Sequence, residues 1–395
     1  MKIFVITLAV IVVVAVSAVL YLKHRLNNTP DNQDLEAALD SEVKKATSGE
    51  LSHHVVIGIY KDGESFIKGY GAVNNEDATI PVASMVFQIG SISKLFTASL
   101  LQILCDEGTL NMDATLGQLI GESIALSPAA QQVTLKQLVT HTSGFPRVPE
   151  ILLQKATQLA GKEDLLLNPY SLVESKDIFE YLKTSEKKRK PGRFDYSNFG
   201  MGLLGHVLEM VTKKDFESLV VEKLLAPLEM KNTAITLTPV MQERLVQGYT
   251  ESGEPNPIWT FSALAGAGAF NSDAEDMLKF VRTNIEDGSA LSQTLKKMHE
   301  PQSGNNTGIG WMLPTFIDKF FGNRSVVWHN GMVGGYASYL SIDTKAKTGV
   351  IILSNKAVDV TMLGMMLTRQ TRTQSWSSQH VSQHGVERDI EKAQE

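Results

Sequence analysis

A chain of 395 residues, 43% hydrophobic and 20% charged, holds enough apolar side chain for one large core or two lobes, which excludes disorder throughout. Its 37 basic and 43 acidic residues leave a net charge of -6, which excludes a protein built to neutralise phosphate backbones, so no nucleic-acid partner is expected. Cys105 is the one cysteine, so no intrachain disulfide can form and stability has to come from packing.

Residues 3–22 carry no charge and are long enough to cross a hydrocarbon core of about 30 Å as a helix. Lys2 precedes this run and residues 16–18 (VSA) offer small residues for cleavage after Ala18, but the run continues to Leu22, past the length of most cleavable cores. The expectation is therefore a retained membrane anchor, with a cleaved signal as the alternative. Lys23 and Arg25 balance Lys2, so charge does not set the orientation; the likeness to an export leader places the body on the periplasmic or outer side. Residues 23–34 read as a polar linker, and the folded body starts at residue 35.

Residues 55–60 and 64–70 are β-rich runs joined by Lys61-Asp62-Gly63, a hairpin signal in which Asp-Gly tolerates positive φ. Residues 91–107 are apolar nearly all round and end at Gly108, the pattern of a buried helix. From residue 110 to 288 the reading is mainly helical, for example over 135–140, 196–212 and 273–284. Strand character returns at 325–329, 337–342 and 349–354, with Gly331, Gly334 and Gly335 as turn or close-approach positions, before a helix over 360–368. This order predicts an α/β fold in which an antiparallel sheet flanked by helices packs against a mainly helical lobe, one domain over 35–370. The polar residues 371–395 are expected to be a disordered tail.

Ser-x-x-Lys sets a hydroxyl and an amine one helical turn apart, which suits a serine that must pass its proton to a nearby base. At Ser41–Lys44 and Ser185–Lys188 the setting is charged and solvated, so those lysines stay protonated. Ser91 instead follows Gly90 at the start of the buried helix, and there Lys94 is desolvated and favours the neutral amine. The plain alternative is a serine cap on a core helix with a snorkelling lysine. Tyr196-Ser197-Asn198 opens a helical segment and can bring a phenol and an amide to one place, Tyr196 to relay protons and Asn198 to bond a substrate amide. His329-Asn330-Gly331 lies on a late strand, where the glycine lets a substrate approach the strand edge. Taken singly, the second is more often a turn and the third a glycine bend.

Together, in order and spacing, Ser91-x-x-Lys94, Tyr196-x-Asn198 and His329-Asn330-Gly331 resemble the Ser-x-x-Lys, Tyr-x-Asn and Lys-Thr-Gly motifs of class C β-lactamases and the related D-alanyl-D-alanine peptidases and esterases. Residues 87–97 (FQIGSISKLFT), 135–146 (LKQLVTHTSGFP), 191–198, 227–233 and 265–280 also look like segments of this serine β-lactamase and penicillin-binding-protein-like family. The resemblance implies that Ser91 attacks an acyl carbon and forms an acyl-enzyme, with Lys94 and Tyr196 managing protons and the backbone N–H groups of Ser91 and Met332 holding the oxyanion. It implies Asn198, His329, Asn330 and Gly331 as substrate-binding residues, no cofactor, and His141 and Ser143 as parts of a structural loop. The departure is His329 where the β-lactamases carry lysine, since histidine is mostly neutral near pH 7, so modest β-lactam turnover is expected.

The substrates expected are β-lactams or D-alanyl peptides of the cell wall; a small-ester carboxylesterase and a non-catalytic penicillin or wall-peptide receptor are the alternatives. Lys187 to Lys190 read as a solvated loop. His380 and His384 stand four apart without a further ligand, so no metal is expected.

Overall fold

The computed structural model describes residues 34–47, 54–71, 82–148, 168–185, 192–302, 307–320 and 322–376. The apolar run 3–22, the linker up to residue 33, Lys187 to Lys190 and both tail histidines lie outside these residues. Among the described residues no helix is long and apolar enough to cross a membrane.

Five strands form one antiparallel sheet in the order β2-β1-β9-β8-β7, with β1 at Val55–Lys61, β2 at Glu64–Tyr70, β7 at Val326–Val333, β8 at Tyr336–Asp343 and β9 at Thr348–Ser354. The β1–β2 hairpin turns through Asp62 and Gly63, both at positive φ (56° and 84°), as an Asp-Gly turn requires. Helices α1 (Leu35–Ala46), α2 (Ser93–Asp106), α3 (Leu135–Val139), α4 (Asn198–Thr212), α5 (Ala274–Ile285) and α6 (Thr361–Thr373) supply the layers around it. Val55, Ile57 and Ile59 share a core with Leu35 and Leu39 of α1 and Leu363 and Leu367 of α6, whereas Val56 and Tyr60 belong to the core of α5 and the helical lobe. Because both faces are covered, β1, β8 and β9 are buried along their whole length.

The expected α/β architecture is present, with two differences. The last helix runs to Thr373 and the chain stays packed to residue 376: Leu35 N–H donates to the Ser375 carbonyl at 3.0 Å, and Trp376 meets Phe66 at 5.5 Å between ring centroids. Residues 371–376 therefore belong to the fold and not to a tail. Their polar composition misleads because the Thr371 and Thr373 hydroxyls bond back to the carbonyls of Leu367 (2.8 Å) and Arg369 (3.1 Å), so the helix itself satisfies them. The second difference is that the nucleophile segment starts as a 3-10 turn, Gly90–Ile92, before α2 begins at Ser93.

Short pairings carry this turn to the sheet. β3 (Phe87–Gln88) pairs with β6 (Asn271–Ser272), while β4 (Gly248–Tyr249) pairs with β5 (Pro255–Asn256) beside the β7–β8 turn. β7 is the sheet edge next to Gly90–Ile92. Trp328 exchanges both backbone bonds with Met312 outside the sheet (2.9 and 3.0 Å). By the alternation of an antiparallel ladder, the backbone groups of Asn330 and Met332 face that same free edge.

Candidate active site

Ser91, Lys94 and Tyr196 come together where the helical lobe meets the β7 edge. Lys94 is completely buried at the start of α2, and its Nζ lies 2.9 Å from Ser91 Oγ and 2.5 Å from the Ala267 carbonyl oxygen. The Ala267 segment is fixed to the same helix: Thr97 Oγ1 donates to the Gly266 carbonyl at 2.8 Å, and Phe270 N–H donates to Ser93 Oγ at 3.1 Å. Burial, aided by the positive charge of Arg147, holds the Lys94 amine well below its ordinary pKa of 10.5. A neutral amine with one N–H given to Ala267 has a lone pair for the Ser91 proton, which an ammonium lacks.

Tyr196 lies near enough to Ser91 for the serine to bear on its phenol, and its ring centroid lies 5.1 Å from Lys94 Nζ. Burial raises the phenol above its ordinary value, more than Ser91 and Arg147 lower it, so Tyr196 stays protonated at neutral pH. The turn that carries it is held from the HTSG loop. His141, at φ 57°, accepts the Ser197 N–H on Nδ1 (3.2 Å), takes the Asp195 N–H on its carbonyl (2.8 Å) and packs its ring 4.4 Å from that of Tyr196. Burial first, then Lys94 and His329, keep His141 neutral, as an Nδ1 acceptor must be. Ser143 Oγ accepts the Phe145 N–H at 3.3 Å, consistent with the structural reading of this loop.

On β7, His329 and Asn330 leave opposite faces, as neighbours on a strand do. His329 is fully buried 6.2 Å from Tyr196 between ring centroids, with Nδ1 donating to the Asn330 carbonyl at 2.6 Å. Burial and Lys94 push its pKa down to about 3, so it is a neutral ring whose buried Nε2 has no partner among the described residues. Asn330 instead donates its amide to Thr361 Oγ1 at 2.8 Å, at the start of α6. Of these two expected substrate-binding residues, His329 faces Tyr196, and the Asn330 side chain is turned to α6. Asn198 donates its amide to the Tyr170 hydroxyl at 2.7 Å and leaves its buried Oδ1 as an open acceptor among the described residues.

The two backbone amides of the expected oxyanion hole are neighbours because two glycines meet. A Cβ on Gly331 would stand 2.9 Å from Ser91 N and inside the contact radius of the Ile89 carbonyl oxygen; one on Gly90 (φ 51°) would stand 2.9 Å from Met332 N. Ser338, opposite Gly331 on β8, passes this gap to donate to the Ile89 carbonyl at 2.8 Å, fixing the nucleophile turn to the sheet.

Sequence reasoning missed Ala267 and Ser338, and also Arg147, whose guanidinium carbon lies 5.3 Å from the Tyr196 ring centroid. It also passed over a Ser-x-x-Lys at Ser65–Lys68, which lies on β2 with Lys68 paired to Asp40 at 2.7 Å. Of the other tetrads, Lys44 is exposed and Ser185 is buried against Ser127, whose hydroxyl donates to the Ser185 carbonyl at 2.7 Å. Among the described residues no cluster of three metal-ligating side chains occurs.

Known proteins share this arrangement of elements. A curated relative, Protein flp of Staphylococcus aureus (strain MW2), is 23% identical over 345 residues, covering 84% of this chain. The chain spans only 64% of that protein's length. A protein named Beta-lactamase from Psychrobacter immobilis is 24% identical over 363 residues, covering 82% of this chain and 84% of that protein. The crystal structure of a Beta-Lactamase/D-Alanine Carboxypeptidase from Pseudomonas syringae superposes with a TM-score of 0.71 at 21% identity, over 85% of this chain and 98% of that one. A class C beta lactamase from Rhodobacter sphaeroides gives 0.70 at 20% identity, over 85% and 98%. The family model described as Beta-lactamase matches residues 49–370, and the chain therefore belongs to the Beta-lactamase family.

Proposed function

We propose that this serine hydrolase works through an acyl-enzyme on Ser91, with β-lactam or D-alanyl peptide compounds as substrates. The observation that carries the reading is the Lys94 amine, wholly buried, 2.9 Å from Ser91 Oγ, and with no carboxylate among the described residues acting on it to keep it protonated. Lys94 takes the Ser91 proton as Oγ adds to the carbonyl carbon. The N–H groups of Ser91 and Met332 receive the oxyanion. Tyr196, a protonated phenol beside Ser91 and Lys94, hands its proton to the departing nitrogen or oxygen and regains one from the Lys94 ammonium. Water then releases the acyl group. Asn198 Oδ1, an open acceptor, suits a substrate amide N–H.

The substrate class draws support from two relatives, one named Beta-lactamase and one titled Beta-Lactamase/D-Alanine Carboxypeptidase. A second reading, a small-ester carboxylesterase, is favoured by the neutral His329, which offers no fixed charge to the carboxylate of a β-lactam. Incubating the enzyme with a fluorescent penicillin, 4-nitrophenyl butyrate and a D-alanyl-D-alanine peptide separates the readings. Turnover of the penicillin or the peptide supports the first; rapid ester release alone transfers the enzyme to the second; covalent labelling that never turns over marks a receptor.

We also propose that residues 3–22 tether the body on the exported side of a membrane, on the strength of their length and lack of charge. In a protease-protection assay on spheroplasts, whose outer layers are opened and whose inner membrane is intact, the body is then cleaved; a body protected until the inner membrane is lysed contradicts the assignment.

A further inference from the structure

We infer that Arg147 sets the specificity of this site by binding a carboxylate that the substrate carries beside its reacting acyl group. The inference rests on the Ser91 reading above. Arg147 is exposed, and its guanidinium carbon stands 5.3 Å from the centroid of the Tyr196 ring, the ring that lies 5.1 Å from the Lys94 Nζ beside Ser91. The loop that presents it is fixed to the tyrosine turn at two successive residues. Ser197 Oγ donates to the Pro146 carbonyl at 2.7 Å, and Phe199 N–H donates to the Arg147 carbonyl at 3.1 Å. The guanidinium thus stays with the phenol.

The other basic groups at the site are already committed. Lys94 is buried and directed at Ser91 and Ala267, and His329 is buried with Nδ1 given to its own strand. Arg147 forms no ion pair with any carboxylate among the described residues. Its contact with the ring supplies no acceptor oxygen, so the hydrogen-bonding capacity of the fork is unspent there. A planar guanidinium beside a reacting centre matches a carboxylate with two parallel bonds, a geometry that neither a lysine ammonium nor an imidazole reproduces. In a chain of net charge -6, a permanent cation at the catalytic serine also favours the approach of an anion over the general repulsion of the surface.

The test compares matched esters in which only a carboxylate differs. One pair is 4-nitrophenyl butyrate and mono-4-nitrophenyl succinate, with the charge on the acyl group. The other is phenyl butyrate and 4-butyryloxybenzoate, with the charge on the leaving group. The wild type is expected to favour the charged member of at least one pair, and in Arg147→Gln the ratio of kcat/KM for charged over uncharged ester falls about 10- to 100-fold. Raising the salt concentration shrinks the preference, and Arg147→Lys restores part of it. Loss of the Arg147 charge also raises the Lys94 pKa, but this moves the acid limb of the pH profile equally for both members and cancels in the ratio. A ratio that changes less than about twofold in both pairs, or an equal loss for charged and uncharged esters, overturns the inference. Failure of the wild type to turn over any ester, with Ser91 never acylated, sinks the Ser91 reading and this inference with it.

Discussion

Ser91→Ala and Lys94→Met, made singly and together, are expected to cost nearly the same: each lowers kcat/KM by on the order of ten-thousandfold, and the double variant loses little more. The two side chains act as one unit, since Lys94 Nζ at 2.9 Å from Ser91 Oγ is the proton acceptor and has no task once the hydroxyl is gone. Methionine fills the buried volume of the lysine stem without its amine, so the loss reports chemistry rather than a cavity. Additive losses from the two substitutions contradict a shared role. The pH profile follows from the same group. Lys94 must be deprotonated to accept a proton, so activity is lost as pH falls through its pKa, which burial and Arg147 place well below 10.5. The acid limb of the profile therefore falls well below the pH of about 10.5 at which an ordinary lysine titrates. His329, at about 3, adds no inflection near 6.5, and the raised Tyr196 phenol adds none below 10. Activity that climbs steadily to pH 10 identifies a Lys94 that is still an ammonium at neutral pH.

Gly331→Ala is the second large effect. The added methyl meets the Ile89 carbonyl oxygen and stands 2.9 Å from Ser91 N, and both are backbone atoms that cannot swing aside. β7 has to move off the nucleophile turn, separating the amides of Ser91 and Met332 that the mechanism uses together. Displacing one oxyanion donor costs about 100- to 1000-fold in kcat, and the overpacking destabilises the fold by about 1–3 kcal/mol. Measuring kcat beside the thermal midpoint separates the two. A variant that is still folded at the assay temperature, with a midpoint lowered by no more than that destabilisation, and that loses kcat fits the account; one that keeps kcat within about threefold contradicts the placement of the oxyanion hole.

Much of this was legible because the code for it is local. β-rich runs set off by turn residues marked β1, β8 and β9, and an all-apolar helix behind a glycine marked Ser91 and Lys94 as the tetrad that is desolvated. The opposed directions of His329 and Asn330 were also legible in principle, since adjacent residues on a strand cannot share a face. Ala267 was not, because its part is played by a backbone carbonyl that any residue supplies. Arg147 follows a Phe-Pro pair in an irregular loop and carries no periodicity; only the approach of Tyr196, 49 positions away in the numbering, gives it meaning. Ser338 is one serine on a buried strand until its register opposite Gly331 is known. The helix over residues 371–373 was hidden by threonines whose hydroxyls the helix itself satisfies.

The central claim is that the Ser91 oxygen becomes covalently acylated. Peptide mass mapping of enzyme quenched during turnover of a slowly released β-lactam or ester addresses it most directly. The account predicts one adduct, with the mass of the acyl group, on the peptide that contains Ser91, absent from Ser91→Ala and persisting longer at low pH. An adduct on another residue, or steady turnover with Ser91 unmodified at every time point, contradicts it.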